Sequence, residues 1–379
     1  MINQKRLADM FIRIAEIDSE SKEEAPVFQE LKKILESMGA DVVSDNAGEK
    51  IQGNADNLIA RFRGNCDVPP LMLNAHMDTV KPGKGIKVLL EDGIFRSAGE
   101  TILGADDKSA IAILLEALQV ILENNLPRGP LELVLTVCEE VGLQGAKNLD
   151  YSLISAQYGY ALDATDTEGI ITHAPSAKHF EIKVHGKEAH AGAAPERGIN
   201  AISLAAKAIA KLRLGRIDEE TTCNIGIIEG GLATNIIPNL VRIKGETRSH
   251  NTEKLEAITE EILSAFRDAV EKAKKSPNDA LPRLEIHLEH DFNNTAIPAD
   301  HPVIARAVKA AENLGMRLHP KVTGGGADAN IFVEKGIMTG VLGTGMQDMH
   351  SVNESVALDD MVKMTALLIE IIRLHATTP

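Results

Sequence analysis

One stretch of the sequence, LELVLTVCEEVG at 131–142, combines a buried strand with two adjacent carboxylates. Its first part, Leu131–Val137, is mostly β-branched or aliphatic, with only Glu132 charged. This pattern is typical of a strand covered on both faces, as in a parallel sheet between helices. Glu139 and Glu140 follow at the carboxyl end of the strand, where open α/β sheets bind ligands. Because adjacent anions repel unless a cation or a shared proton relieves them, we expect a ligand site at this sheet edge.

Length, charge and cysteine content narrow the class of protein. A chain of 379 residues is long enough for two domains with ample cores. The net charge of −15 argues against nucleic acid as a partner. We find no run of about 18 apolar residues for a membrane span and no uncharged apolar stretch near the N-terminus for a signal peptide. Three cysteines without a CxxC spacing favour a reducing, cytoplasmic location without a disulfide framework.

The order of predicted elements indicates one domain inserted into another. Residues 1–175 and 293–379 predict an α/β domain, whose mixed, mostly parallel sheet is sandwiched by helices. Residues 176–292 follow a β-α-β-β-α-β order, which matches a ferredoxin-like α+β sandwich. The loop TGGGADAN is expected between the helix at His301–Leu314 and a strand at Gly340–Gly343.

Several residues that suit metal binding follow predicted strands, as the two glutamates do. His76, Asp163 and His350 each come after a strand, and Asp106 lies at or just before a helix N-terminus. Strands of a parallel sheet that end together would bring these side chains to one edge. Mixed nitrogen and oxygen ligands suit Zn²⁺, and also Co²⁺ or Mn²⁺. Three carboxylates and a bridging hydroxide would balance two divalent ions, so we expect a pair of ions.

The spacing of neighbouring residues suggests which of them bind metal and which assist. Residues two apart in an extended segment point the same way, so Asp78 would accept the second ring N–H of a metal-bound His76. Glu139 and Glu140 are adjacent and therefore point differently. One of them would bind metal, and the other would stay free to carry protons.

Each of these features also has an ordinary structural explanation. A histidine after a strand is more often structural than a ligand, a glutamate pair is usually a solvated face, and paired aspartates before a helix usually cap it. The ordered combination of all of them is much rarer by chance, and we therefore favour the metal site.

At these residues the chain resembles the di-zinc exopeptidase family that includes peptidase T, glutamate carboxypeptidase and acetylornithine deacetylase. The GADDK and EEVGLQGAK segments are most similar to the peptidase T-like branch. The resemblance covers nearly the whole chain and is carried by LNAHMDTV, ILGADDKSAIA, VCEEVGLQGAK, ALDATD, KEAHAGAAPERGINAI, GGLATNIIPN and MHSVNE.

The resemblance implies a ligand set for two zinc ions. His76 and Asp163 would bind one ion, Glu140 and His350 would bind the other, and Asp106 would bridge both. It also implies a cis peptide bond directly after Asp106.

The resemblance further implies the catalytic roles. Asp78 would orient His76, and Glu139 would act as the general base toward a zinc-bridged water and then as the acid. His190, in the inserted lid and dimerisation domain, would reach the active site of a neighbouring subunit of a homodimer.

Four further positions would contact substrate by the same resemblance. Asn235 and Arg248 match such positions, and Arg248 would hold a carboxylate. Gly325 and Asp328 would lie in a backbone-rich loop near the substrate. On its own, a glycine run of this kind is an ordinary tight turn, and an arginine on a strand is an ordinary solvated edge residue.

Three functions stay open at this stage. We favour metal-dependent hydrolysis of an amide bond in short peptides, by an exopeptidase that is an aminopeptidase rather than a carboxypeptidase. The alternative with the same chemistry is an amidohydrolase acting on N-acyl amino acids or related metabolites. The third is a non-catalytic, metal-stabilised binding protein, against which the retained Glu139 argues.

Overall fold

A computed structural model describes residues 1–276 and 278–377, which divide into two compact units. Unit 1 contains Met1–Thr172, Ala296–Val322 and the described residues from Ala327 onward. Unit 2 contains His173–Thr295 and the short segment Thr323–Gly326. No helix in the described residues is long and apolar enough to cross a membrane.

The helices and strands follow one another in this order along the chain: α1 Gln4–Ala15, α2 Ala25–Ser37, β1 Asp41–Ser44, α3 Ala47–Ile51, β2 Leu58–Phe62, β3 Leu71–His76, β4 Val88–Glu91, β5 Ile94–Ser97, α4 Ala105–Glu123, β6 Leu131–Thr136, α5 Gln144–Asn148, β7 Tyr158–Ala164, β8 Gly169–Ala174, β9 Ser176–His185, α6 Ala201–Ile209, β10 Gly215–Arg216, β11 Thr221–Gly230, β12 Leu240–Ser249, α7 Thr252–Glu271, β13 Arg283–Phe292, β14 Thr295–Ala296, α8 Pro302–Asn313, β15 His319–Val322, α9 Asp328–Glu334, β16 Met338–Gly343, β17 Ser355–Ala357 and α10 Leu358–Thr377.

The main sheet has the strand order β1-β2-β6-β3-β7-β16-β8-β14, with β15 paired to β8. Its central strands β6, β3, β7 and β16 are parallel, whereas β2 and β8 pair antiparallel with their inner neighbours. The predicted mixed, mostly parallel sheet is therefore confirmed, and its parallel strands are the four at the centre. Because the four central strands run the same way, their carboxyl ends meet at one edge.

Helix α4 is buried on nearly all of its faces and packs against α1, α10 and β3. Its regular helical dihedrals begin only after Asp107, since Asp106 has φ −82° and ψ 100°. Lys108 is fully buried, and its Nζ donates to the main-chain oxygens of Ile17, at 2.6 Å, and Ala15, at 3.4 Å. Burial lowers the pKa of this amine to about 7.

Unit 2 contains an antiparallel sheet of order β10-β11-β12-β9-β13, against which α6 and α7 pack. Apart from the two-residue β10, the chain order β9-α6-β11-β12-α7-β13 is the predicted β-α-β-β-α-β order. Its core is a separate cluster that includes Phe180, Ile243 and Phe266.

Several short elements differ from the sequence prediction. The segment predicted as the loop TGGGADAN ends in helix α9, which begins at Asp328. A small sheet of β17, β5 and β4 was not predicted. The helix expected from about Gly145 is the five-residue α5. Elements this short do not repeat the 3.6- or 2-residue period often enough to be read from sequence.

The one charged residue of β6, Glu132, has a structural explanation. Glu132 of β6 is buried, and its carboxylate accepts the main-chain N–H of Ser155 through both oxygens, at 3.0 Å each. Its Oε2 also accepts the N–H of Ala156 at 2.9 Å. These bonds fix the entry into β7 and give the buried Glu132 carboxylate the hydrogen-bond donors that it needs.

Replacement of this carboxylate tests that explanation. We expect Glu132→Gln to lower the free energy of unfolding by about 1–3 kcal/mol, since an amide cannot accept through both positions. Urea denaturation measures the change. The exposed Glu91→Gln is the matched control, and equal stability of the two variants would contradict the assignment.

Candidate metal and catalytic site

The sequence-predicted ligands lie at the carboxyl edge of the parallel strands of unit 1. His76 is the last residue of β3, and Asp163 is the next to last of β7. Glu139 and Glu140 follow the end of β6 by three and four positions, and His350 lies in the segment after β16.

Asp106 lies between the two histidines. Its Oδ1 is 3.1 Å from Nε2 of His76, and its Oδ2 is 3.2 Å from Nε2 of His350. The same His350 nitrogen is 3.0 Å from Oε1 of Glu140. The peptide bond between Asp106 and Asp107 is cis, as the resemblance implies.

Two groups of potential ligand atoms share Asp106. One combines it with His76 and Glu140, the other with Asp107 and Asp163, and within each group the atoms lie within 4.8 Å of one another. The sequence prediction had not assigned Asp107. Its Oδ2 accepts the main-chain N–H of His76 at 3.1 Å, while its Oδ1 is buried without a hydrogen-bond partner among the described residues.

Burial and neighbouring charges shift the pKa values of the acids at this sheet edge. Burial, followed by the charge of a neighbouring carboxylate, raises the pKa of Glu139 and of Asp163 well above their ordinary values. Hydrogen bonds from His350 and His76 overcome the effect of burial on Asp106 and lower its pKa. Bonds to Asp106 and Glu140 raise the pKa of His350 to about 10.

This arrangement fits divalent cations. Buried carboxylates that face one another need protons or positive charge between them. Imidazole nitrogens and carboxylate oxygens are the ligands that Zn²⁺, Co²⁺ and Mn²⁺ accept. The residues that would hold the ions are His76, Asp106, Glu140, Asp163 and His350, with Asp107 close enough to add a further oxygen.

The ring of His76 is oriented by Asp78, mainly through the main chain. Its Nδ1 is 3.0 Å from the Asp78 main-chain oxygen and 3.5 Å from the carboxylate Oδ1. Because a carbonyl oxygen only accepts, Nδ1 carries the proton, and Nε2 is the atom that faces Asp106.

The carboxylate of Asp78 instead supports the turn that carries the glutamates. It accepts the N–H of Glu139 at 2.9 Å, the N–H of Glu140 at 3.3 Å and the hydroxyl of Ser21 at 2.7 Å. The buried Glu24 accepts the N–H of Cys138, which begins the turn with φ +53°. The turn is therefore held by acids from distant segments.

The adjacent glutamates face different neighbours, as their spacing predicts. Glu140 reaches His350, whereas Glu139 is buried beside Asp163 and Asp328, whose charges act on it. Asp328 accepts a hydrogen bond from the Thr136 hydroxyl, and burial raises its pKa to about 6. With 2% of its surface exposed, Asp328 lies among the supporting groups of this edge.

His190, in unit 2, is an exposed histidine with a defined tautomer. Its Nδ1 accepts the main-chain N–H groups of Gly192 and Ala193, each at 3.1 Å. The ring proton is therefore on Nε2, which is left as a hydrogen-bond donor. The main-chain oxygen of Asn235 accepts the N–H of Ala191 at 2.9 Å, so Asn235 lies next to the His190 segment.

The other predicted substrate residues of unit 2 also lie together. The Arg248 guanidinium donates to both carboxylate oxygens of Glu246, at 3.2 and 2.9 Å, and its Nη1 donates to the Gly324 oxygen at 3.3 Å. The N–H of Gly325 donates to the Thr323 hydroxyl at 3.2 Å. A Cβ at the neighbouring position 326 would lie 2.2 Å from a ring carbon of Phe292, so a glycine is needed there.

Four residues of the site or its support were not predicted from the sequence: Ser21, Glu24, Asp107 and Glu354. Ser21 and Glu24 lie far along the chain from the groups they hold, and no local spacing marks them. Asp107 and Glu354 stand within the conspicuous segments GADDK and MHSVNE, which were the available signals.

Comparison with known proteins identifies the family of this chain. The model of "Peptidase family M20/M25/M40" matches residues 72–374. Protein YqjE of Bacillus subtilis (strain 168) is 41% identical, over 98% of this chain and 99% of its own length. Among solved structures, a tripeptidase from Staphylococcus aureus subsp. aureus Mu50 is 36% identical with a TM-score of 0.93, and aminopeptidase PepT from Bacillus cereus ATCC 10987 is 39% identical with a TM-score of 0.88.

Each of these two structural matches covers the whole of this chain and the whole of the relative. The chain therefore belongs to peptidase family M20/M25/M40, in its peptidase T-like branch.

Proposed function

We propose that this peptidase is a two-metal exopeptidase that removes residues from the amino end of short peptides. The observation that carries the proposal is the placement of Asp106 between His76 and His350, with Glu140 on the same histidine nitrogen. A buried second acid, Glu139, lies beside this cluster.

The proposed ligands are those implied by the resemblance: His76 and Asp163 for one ion, Glu140 and His350 for the other, and Asp106 for both. When bound, two divalent ions would polarise the scissile carbonyl and lower the pKa of a water molecule. We infer Zn²⁺ as the native metal, with Co²⁺ or Mn²⁺ able to replace it.

Glu139 is the proposed general base. It is held by the same turn as Glu140, through the Asp78 carboxylate, yet it faces Asp163 rather than His350. A carboxylate in that position can accept the proton of the attacking water and return it to the leaving amine. Such transfers contribute roughly 10²–10⁴-fold to rates.

His190 is the proposed oxyanion donor. Its exposed Nε2–H is the kind of neutral donor that stabilises a developing negative charge. We propose that the chain is a homodimer through unit 2 and that His190 acts in the active site of the partner copy. Arg248, Asn235 and Gly325 would bind the ends of the substrate, whereas the buried Asp328 would support the metal edge rather than contact the substrate.

Short peptides are the proposed substrates because the full-length structural relatives are a tripeptidase and an aminopeptidase. A cytoplasmic location stays a prediction, which agrees with three free cysteines.

A substrate panel tests the activity. We expect Zn²⁺- or Co²⁺-loaded protein to release the amino-terminal residue of tripeptides, and faster than it cleaves N-acetyl or N-succinyl amino acids. End-group analysis of the products identifies the bond cut. Glu139→Gln should reduce turnover by at least about 10²-fold while metal stays bound. Preferential cleavage of the acyl amino acids would instead favour the deacylase alternative.

Thermal unfolding tests the metal site. Because the ions relieve repulsion among buried acids, we expect Zn²⁺, Co²⁺ or Mn²⁺ to raise the Tm of chelator-treated protein. An ion at 100 times its Kd adds about 2.7 kcal/mol of stability. Asp106→Asn should lose most of this shift, whereas the exposed Asp92→Asn should keep it. The same shift in both variants would contradict the bridging role.

Mixing two inactive variants tests the dimer and the role of His190. Glu139→Gln and His190→Ala should each be nearly inactive as separate proteins. After unfolding and refolding together, they should recover about a quarter of wild-type activity, because half of the dimers are mixed and each has one intact site. No recovery in refolded dimers would show that His190 does not act on the partner copy.

A further inference from the structure

Glu354 connects the segment of one proposed ligand to the main chain of another. Its side chain is buried, and its Oε1 accepts the N–H of Asp106 at 2.8 Å. Its Oε2 accepts the N–H groups of Leu103, at 2.8 Å, and Gly104, at 2.7 Å. One carboxylate thus satisfies three main-chain donors of the turn that presents Asp106.

These donors have no intrahelical acceptor, because they lie at and just before the start of α4. Leu103 and Asp106 are buried, and Gly104 has φ +75°, so the turn is tightly defined. Hydrogen bonds to an ionised acceptor are roughly twice as strong as those between neutral groups. Glu354 therefore restrains the main chain of the turn that presents Asp106.

The same glutamate anchors the loop that carries His350. The loop is closed at its base, where Gln347 and Ser355 exchange main-chain hydrogen bonds of 2.8 and 3.1 Å. Glu354 lies at this base, and its N–H donates to the Ser351 oxygen at 3.2 Å. His350 lies between these points with φ +62°. The position of His350 relative to Asp106 therefore depends on Glu354.

We propose that Glu354 is a positioning residue that sets the affinity of the ion held by His350, Glu140 and Asp106. The inference rests on the proposed two-metal function. Glutamine cannot replace this side chain, because its NH₂ would face either the Asp106 N–H or the pair from Leu103 and Gly104. Removal of such supporting partners weakens metal binding about 10- to 100-fold.

The test is calorimetric titration of chelator-treated protein with Zn²⁺. Wild type should bind two ions in separable steps. Glu354→Gln should weaken one step about 10- to 100-fold and the other by much less. His350→Ala identifies the step, since it removes a ligand of the same ion and should abolish that step.

Glu132→Gln is the matched control. Like Glu354, Glu132 is a buried carboxylate of unit 1 whose oxygens make three bonds to main-chain N–H groups, but those groups lie at Ser155 and Ala156. It should lose stability and keep both ion affinities, which separates positioning from general destabilisation. Glu354→Asp retains the charge with a shorter reach, and it should show an intermediate affinity for the same step.

The titration distinguishes a failure of the role proposed for Glu354 from a failure of the proposed two-metal function. If wild type binds two ions and Glu354→Gln binds both as tightly, the positioning role is wrong and the metal site stands. If wild type binds fewer than two ions, the proposed function fails first. If Glu354→Gln does not fold, Glu354→Asp provides the test. A folded Glu354→Asp that binds both ions as tightly as wild type would also overturn the inference.

Discussion

The convergence of buried carboxylates at the ends of four parallel strands is the constraint on which the rest of unit 1 depends. A parallel arrangement directs every strand's carboxyl end to one edge, so residues at the ends of β3 and β7 and just after β6 meet there. Asp106, Glu140 and Asp163 would repel one another if they were all ionised without a partner. Without ions, protonated His76 and His350 can supply the positive charge, and divalent cations would replace the protons on the ring nitrogens that face Asp106.

Carboxylates that repel one another stay close together only if the main chain around them is rigid. Further carboxylates provide this rigidity by accepting hydrogen bonds from main-chain N–H groups. Asp78 accepts the main-chain N–H groups of the glutamate turn, Glu24 accepts that of Cys138, and Glu354 accepts three at the start of α4. Each buried acid thereby gains donors that offset its lost hydration. The same contacts fix the main chain from which the proposed ligands project. The hydrogen bonds that stabilise the fold here therefore also position the site.

Unit 2 presents a different chemistry from unit 1. Its sheet carries Arg248 in a bidentate pair with Glu246, and an adjoining segment carries His190 as an exposed donor. A hydrolase needs groups that bind substrate and stabilise developing charge as well as a metal centre. Residues of these types in a separate unit fit the proposal that substrate recognition is separate from the metal-centred chemistry.

The sequence alone determined the mixed, mostly parallel α/β class, the β-α-β-β-α-β order of unit 2 and most of the side chains that converge on Asp106. Those inferences depended on strand periodicity, on polar residues directly after apolar runs and on motif resemblance, all of which are local in the chain. Short elements such as α9 and β4 carried too little periodicity to be seen.

Only the tertiary structure decided how that set is held. The carboxylate of Asp78 serves the turn of Glu139 more than the ring of His76, and Asp107 joins the ligand cluster. Glu354 reaches Gly104 across 250 positions of sequence. Hydrogen bonds between such distant segments follow from how helices and strands pack, and no local pattern of residues encodes them.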